Sequence, residues 1–471
     1  MRPCTSRNER EGSRRSGERE EAHVWHSRLW VETLVFRADL VLHSGRSIPP
    51  MTGVSDTAAS NGAITRASVA RVGLATALTA IGLYSVIYLA ARALAPTGFS
   101  VFAVFWGTFG LFTGATNGLM QETTREIRSG CNTGVVASRH TSPLRAAIVI
   151  GFVAAAAIAG TSPLWSRHIF VESRWLSVGL LGFGVAGFCL NAALLGMLAG
   201  ANRWGQYGAM MVTDGLSRLA VAAAAFVIGW GVAGYLWATA AGSVAWLLVL
   251  LASPAARETA RLLTPTAMGT FLRGAGHSIT AAGASAILVM GFPVLLKATS
   301  DRLGASGGVI ILAVTLTRAP LLVPLSGMQS NLIAHFVDEQ AERLRALIRP
   351  ALIIGGIGVV GVLAVGLAGP WLLRAGFGPD YQASRALLVW LMVAAVSIAM
   401  LTLTGAATAA AALHRAYSFG WLGATVTSTL LLLLPMALDA RTIIALLAGP
   451  LVGIIIHLVA LVRSPRWEQQ H

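Results

Sequence analysis

Lysine is almost absent from this 471-residue chain: of 35 basic residues one is lysine, Lys297, and the other 34 are arginine. Lys297 is followed by Ala298 and lacks a glycine pattern before it, so a phosphate-binding P-loop is excluded. Charge of either sign is scarce, 12% of residues against 55% hydrophobic, where a soluble domain carries about 25% charged residues. That points to a membrane protein, and a nucleic-acid role fails because no soluble domain is left to display a basic face. Three cysteines, Cys4, Cys131 and Cys189, form no disulfide framework and no metal spacing. No metal, no cofactor and no nucleic-acid partner is expected.

Residues 1–50 are charged, mixed in sign and without apolar periodicity; "SRNEREGSRRSGEREEAHVW" has no apolar core for a signal peptide. This segment reads as disordered. A second reading starts the natural chain at Met51, since "MTGVSDTAASNGAITRASVARVG" resembles an ordinary cytoplasmic lead-in.

From Val69 the chain becomes apolar runs of about 20 residues, the length that spans a bilayer. Twelve are expected, near 69–91, 98–120, 144–165, 176–199, 208–229, 231–252, 275–297, 307–333, 351–373, 386–410, 418–437 and 442–462. The fold class is all-α: a polytopic membrane protein of twelve helices in two pseudo-symmetric six-helix bundles. The expected organisation is a cytoplasmic segment 1–65, a first bundle 66–253, a linker 254–273, a second bundle 274–463 and a tail 464–471. With the N-terminus inside and residues 1–50 left out of the count, inner segments hold sixteen arginines and outer ones eight basic residues. The positive-inside rule therefore puts both termini in the cytoplasm of a multi-pass plasma-membrane protein. "VDEQAERLRALIRP", 337–350, sets Val337, Ala341, Leu344 and Ile348 on one face and predicts an interfacial helix.

The two halves align with each other. The segment from Leu83 matches that from Phe292 without gaps at an offset of 209, placing Leu94 on Leu303, Gly98 on Gly307, Thr108 on Thr317 and Gly118 on Gly327. A second match, at 212, places Arg203 on Arg415, Tyr207 on Phe419 and Gly208 on Gly420. Parallel repeats of this kind recur in transporters, with the substrate site between the halves near the midplane.

Two arginines lie inside the runs. Helix rise puts Arg218 about 15 Å and Arg318 about 16 Å into a core about 30 Å thick. Asp214, one turn before Arg218 in "TDGLSRLAVAAAAF", is placed to offset its charge, either as a structural pair or as part of a site. Arg318 has no acid at helical spacing, and Pro320 and Pro324 bend its helix. It should face a wet cavity. A cavity lined by Arg318, Arg218 and Asp214 suits an anion, because guanidinium binds phosphate bidentately and keeps its proton. A pyrophosphate-linked lipid is the natural cargo. "NGLMQETTREIRSG" supplies a possible cytoplasmic mouth in Asn117, Gln121, Glu122 and Arg125, or else an ordinary polar helix exit. Asn191, His277, Gln329, Asn331 and His457 read as helix–helix hydrogen bonds, and Gly355, Gly358 and Gly361 as close-packing positions.

Twelve helices in related halves, a basic lead-in and "LAPTGFSVFAVFWGTFGLFTGATNGLMQETTREI" together resemble the Wzx-like polysaccharide flippases of the multidrug/oligosaccharidyl-lipid/polysaccharide (MOP) exporter superfamily, over about residues 60–465. The resemblance implies a V-shaped pair of MATE-like bundles, a central cavity opening alternately to each side, and a polyprenyl-pyrophosphate-linked saccharide as cargo. Lipid-linked-oligosaccharide members carry cations in that cavity, and Arg318 matches such a position in kind. The first run, 69–91, has no acid, which departs from the cation-coupled drug-exporting branch and leaves Asp214 as the only mid-membrane acid.

The expectation is a non-enzymatic flippase serving cell-surface polysaccharide synthesis, with membrane lipid, the lipid-linked saccharide and pathway glycosyltransferases as partners. The alternatives are a cation-coupled small-molecule exporter and a multi-span glycosyltransferase or polymerase. The last needs an acid or base at an outer face, and the short outer loops offer only Glu172, Asp301, Asp380 and Asp439. A major-facilitator transporter is disfavoured by "QETTREIRSGCNTGVVASRH", which lacks the Gly–Asp–Arg/Lys-rich turn of that loop.

Overall fold

A computed structural model describes residues 66–133, 141–170, 172–327 and 343–463 except Ala412, together with Leu332 and Phe336. The expectations for the N-terminal segment, for Gln329 and Asn331, for 337–342 and for the tail lie outside the described residues.

The described chain is helical from end to end: α1 (Arg66–Ala93), α2 (Pro96–Thr133), α3 (Pro143–Ile169), α4 (Arg174–Gly200), α5 (Trp204–Ile228), α6 (Gly231–Ala241), α7 (Ala245–Ala252), α8 (Pro254–Ala260), α9 (Met268–Val289), α10 (Phe292–Ala298), α11 (Gly304–Gly327), α12 (Arg343–Phe377), α13 (Arg385–Ala410), α14 (His414–Leu432) and α15 (Leu438–Arg463). Ten of these elements, α6 and α7 counting together, are long and apolar enough to cross a membrane, or eleven if the bent pair α9–α10 is one span. The expected run 418–437 overlaps α14 and runs past its end at Leu432. That helix is long enough, but its polar residues, Arg415 and the Thr425–Thr429 stretch among them, lower its hydropathy, so it is not among them. Its polar face is turned onto α15, where Ser428 donates to Ala445 O at 2.9 Å.

Local chemistry explains the breaks. Gly229 (φ 70°) and Gly231 (φ 63°) make the tight turn between α5 and α6, a backbone that glycine adopts without steric cost. The expected run 275–297 is not one straight helix. It bends by 69° between Val289 and Phe292, because Pro293 cannot supply the N–H that would carry α9 onward. A 3₁₀ turn, Gly242–Val244, separates α6 from α7. The expected interfacial helix is, from Arg343, the start of the 35-residue α12, with Leu344 and Ile348 both exposed.

Within the first half α1 packs on α5, α2 and α3 on α4, and α5 on α6; within the second, α11 packs on α13, and α12, α13 and α14 pack in series with α15. Thr108 and Thr317, paired in the sequence match, each bond the carbonyl one turn back, as helical threonines commonly do: Thr108 donates to Val104 O (2.7 Å) and Thr317 to Ala313 O (2.8 Å). The halves meet along α2, which lies against α9 and α11. Small residues permit this closeness. A Cβ on Gly107 would strike Pro293 and Met290, one on Gly114 would strike Ala286, and one on Gly118 would meet the Ser278 backbone.

The seam is tied at both ends of α2. At its N-terminal end, the buried Tyr381 donates its hydroxyl to Leu94 O (3.0 Å) and packs edge-on against Phe99. At its C-terminal end, Thr141 and Thr264 exchange backbone hydrogen bonds (3.1 and 2.9 Å), and Thr141 Oγ1 donates to Thr266 O (2.6 Å).

Candidate functional site at half-depth

Arg218 lies 14 residues from the start of α5, and Arg318 lies 14 from the start of α11, about 21 Å along each axis. In helices of 25 and 24 residues, each arginine therefore lies a little past the midpoint of its own span.

Arg218 is tied on all sides. Its Nε donates to Asp214 Oδ1 at 3.1 Å, one turn earlier, and its Nη1 donates to Thr239 O. The 3₁₀ turn beyond Thr239 interrupts the α-helical ladder there. Trp106, Phe109 and Phe188 surround the guanidinium at 5.9, 5.2 and 5.6 Å from ring centre, distances typical of cation–π attraction. Arg218 is 5% and Asp214 9% exposed. Gly242 leaves room for this pair, because a Cβ there would overlap the carboxylate and the guanidinium and displace them.

Arg318 is 7% exposed and has a sparser set of partners. Nη1 donates to Val289 O at 3.2 Å, and the guanidinium lies 5.2 Å from the centre of the Phe292 ring. Nη2 is buried and has no hydrogen-bond partner among the described residues. Tyr84 of α1, in the other half, stands within electrostatic reach of it.

No ion pair or hydrogen bond joins the two arginines among the described residues. They share α2 as a common wall. Arg218 lies against Trp106 and Phe109, while the break that supplies Arg318 with Val289 O seats on Gly107 and Gly110. Under the repeat, Arg318 corresponds to Phe109, the ring on which Arg218 rests.

The C-terminal end of α2 divides into two stripes. Asn117, Gln121 and Arg125 are exposed, one turn apart. Glu122 and Glu126 are buried and turned to the seam. Arg125 bridges both carboxylates, at 2.6 Å to Glu122 and 2.7 Å to Glu126, with its own side chain 66% exposed. Glu126 also accepts from Thr266 Oγ1, and Glu122 occupies the space a Cβ on Gly274 would need. The mouth residues thus split into an open face and a buried tie between the halves.

The isolated polar residues also have definite places. His457 is fully buried and links three helices, through Thr404 Oγ1 (3.0 Å) and Tyr417 O (3.3 Å). Asn191 is buried with its Oδ1 unpartnered among the described residues, and His277 is exposed. Gly358 and Gly361 pack on Val396 and Met392, whereas Gly355 faces open space. Tyr84, Val289, Phe292 and Pro293 are site residues that the reading of charges did not single out. Pro293, four positions after Val289, was the available signal.

This bundle of helices, ten or eleven of them long and apolar enough to cross a membrane and with two arginines buried among them, has the fold of MOP-superfamily membrane transporters. An inward-facing multidrug-resistance MATE family transporter matches with a TM-score of 0.63 over 84% of this chain and 98% of that one, at 14% identity. A MOP transporter from Pyrococcus furiosus, described as having a binding pocket of reversed polarity that suggests a different function, reaches 0.56 over 84% and 96%, also at 14% identity. No protein-family model matches the chain. In sequence, the uncharacterized protein Rv1510 of Mycobacterium tuberculosis is 71% identical over 415 residues, 88% of this chain and 96% of that one. The uncharacterized protein Rv3630 of the same species is 67% identical over 422 residues, 88% and 98%. The chain belongs to the family of these mycobacterial proteins.

Proposed function

We propose that the chain moves a polyprenyl-pyrophosphate-linked saccharide from the inner to the outer leaflet of the plasma membrane by alternating access. The observation that carries this reading is Arg318: a permanent cation at half-depth, with one nitrogen buried and unpartnered among the described residues. Holding an arginine in the membrane is costly, and the cost is offset when a phosphate takes the free donor in a charge-assisted bond. Arg218 contributes positive potential from the other half, and Asp214 makes that charge tolerable. Asn117, Gln121 and Arg125 form the face on which the head group first lands, with Glu122 bracing it from the seam. The pocket polarity described for the Pyrococcus protein is consistent with different cargoes on one fold.

Cation-coupled export of small molecules is the second reading, favoured by the multidrug-resistance transporter among the solved neighbours. It would rely on Asp214, which here is engaged by Arg218. Flipping of a labelled pyrophosphate-linked lipid in proteoliposomes separates the two. Loss with Arg318→Ala and retention in a folded Asp214→Asn protein support the lipid reading. The reverse pattern, with drug efflux following Asp214, sinks it.

A further inference from the structure

We propose that the main-chain carbonyl of Val289 is the resting partner of Arg318, and that an arriving phosphate displaces it, coupling anion capture to the break between α9 and α10. This rests on the reading that Arg318 receives an anionic head group. In a continuous helix Val289 O would accept from the N–H of residue 293, but that residue is proline. The carbonyl is therefore left open, and Arg318 Nη1 reaches it at 3.2 Å across 29 residues of chain. The backbone compensates only around it: Met290 N and Gly291 N both return to Ala286 O, and Val294 N and Leu295 N both go to Gly291 O. The guanidinium thus holds a neutral acceptor with one nitrogen while another has none among the described residues.

A phosphate offers the fork two anionic oxygens, a stronger and geometrically matched acceptor pair. Exchange leaves Val289 O without its donor. A buried carbonyl does not remain so, so the break must straighten, shift or admit water. Met290 and Pro293 are the very residues that fill the glycine notches of α2 at Gly107 and Gly110, so movement at the break is movement at the seam between the halves. Pro293 is a positioning residue: it acts on the anion only through Val289 O and Arg318.

The test uses the full-length protein in nanodiscs with Cys4, Cys131 and Cys189 replaced by alanine, and spin labels at Thr280 and Ala298, exposed positions on either side of the break. Geranylgeranyl pyrophosphate and inorganic pyrophosphate are the probes. The expected result is a shift of the inter-label distance on binding. Arg318→Ala should show the shifted distance with no probe present. Pro293→Ala supplies the missing N–H to Val289 O, frees Arg318 in advance, and should bind about threefold to tenfold more tightly, the weight of one neutral hydrogen bond, with a distance that no longer responds. A shift with both probes supports exchange with any phosphate anion; a shift with the prenyl probe alone supports exchange specific to the lipid. Should Pro293→Ala fail to fold, the Arg318→Ala distance decides. Binding to the wild type with no change in distance overturns the coupling and leaves the transport reading intact. Equal binding to wild type and Arg318→Ala overturns the transport reading itself.

Discussion

Arg318 donates a hydrogen bond to the carbonyl of Val289, and that carbonyl is free because the residue four places on is Pro293. A side chain from one helix thus completes the backbone of another at the point where it breaks. Arg218 does something similar for Thr239 O beside the 3₁₀ turn of the sixth span. The two sites differ in what remains. Arg218 also has a carboxylate and three rings, while Arg318 keeps a donor unpartnered among the described residues.

That difference predicts opposite mutational profiles. Arg318→Ala removes a buried charge and leaves one carbonyl unmade, a stability cost of about 1–3 kcal/mol at most. Transport should nevertheless fall by more than about tenfold, one lost charge-assisted bond being enough for that. Arg318→Lys should not restore it, since an ammonium lacks the planar fork. Thermal unfolding in detergent and flipping in proteoliposomes check the two halves of the statement.

Asp214→Asn should instead act mainly on stability. It strands Arg218 in an aromatic pocket, and breaking a buried pair by removing one partner costs about 3–5 kcal/mol. The double change Asp214→Asn with Arg218→Leu removes both charges and should recover most of the loss. A thermal-unfolding cycle over the four proteins measures this. A single Asp214→Asn protein as stable as the wild type means the pair is not the structural tie described.

What the sequence made legible follows from where letters carry chemistry. Arg218, Asp214 and Arg318 stand out because ionisable residues in apolar runs are costly, and the structure buries all three. The expected run 275–297 was legible as a span but not as a bent one, although "MGFP" holds the cause. Val289 was invisible because its role is played by a carbonyl that every residue owns. Contacts between halves, such as Gly118 on Ser278, depend on which helices become neighbours, and spacing along one helix does not encode that. Nothing in the letters around Tyr381 marks it, because its partner, Leu94 O, lies 287 residues away in the chain.

Gly118→Ala should wedge the seam open along the C-terminal half of α2. The added methyl meets main chain rather than a side chain that can turn away, and overpacking of this kind costs about 1–3 kcal/mol. Because the strain lies between the halves, it should appear as a population shift rather than unfolding. Thiol labelling of a cysteine placed at Ala282 should become faster than in the wild type, with the melting temperature little changed.

The tie between Tyr381 and Leu94, on the side the positive-inside rule expects to face outward, yields the last prediction. Tyr381 hydrogen-bonds Leu94 O from a buried position, and burial, with the neighbouring Asp380 second, raises its phenol above the ordinary tyrosine range. A raised value means that the proton, and with it the hydrogen bond, is kept below the ordinary tyrosine value of about 10 and is lost only as pH climbs through the higher folded one. The tie should therefore be constant between about pH 6 and 9. Tyr381→Phe keeps the ring on Phe99 and deletes only the bond, about 0.5–1.5 kcal/mol, so the outer end should open about threefold to tenfold more often. Labelling by a membrane-impermeant thiol reagent of a cysteine at Gly98, which lies next to this tie, should quicken by that factor, equally at pH 6 and pH 9 once the reagent's own pH dependence is divided out. An unchanged rate would show that apolar packing alone holds the outer end, and Phe99 and Tyr88, which pack on Tyr381 and Phe377, would then be the residues to truncate.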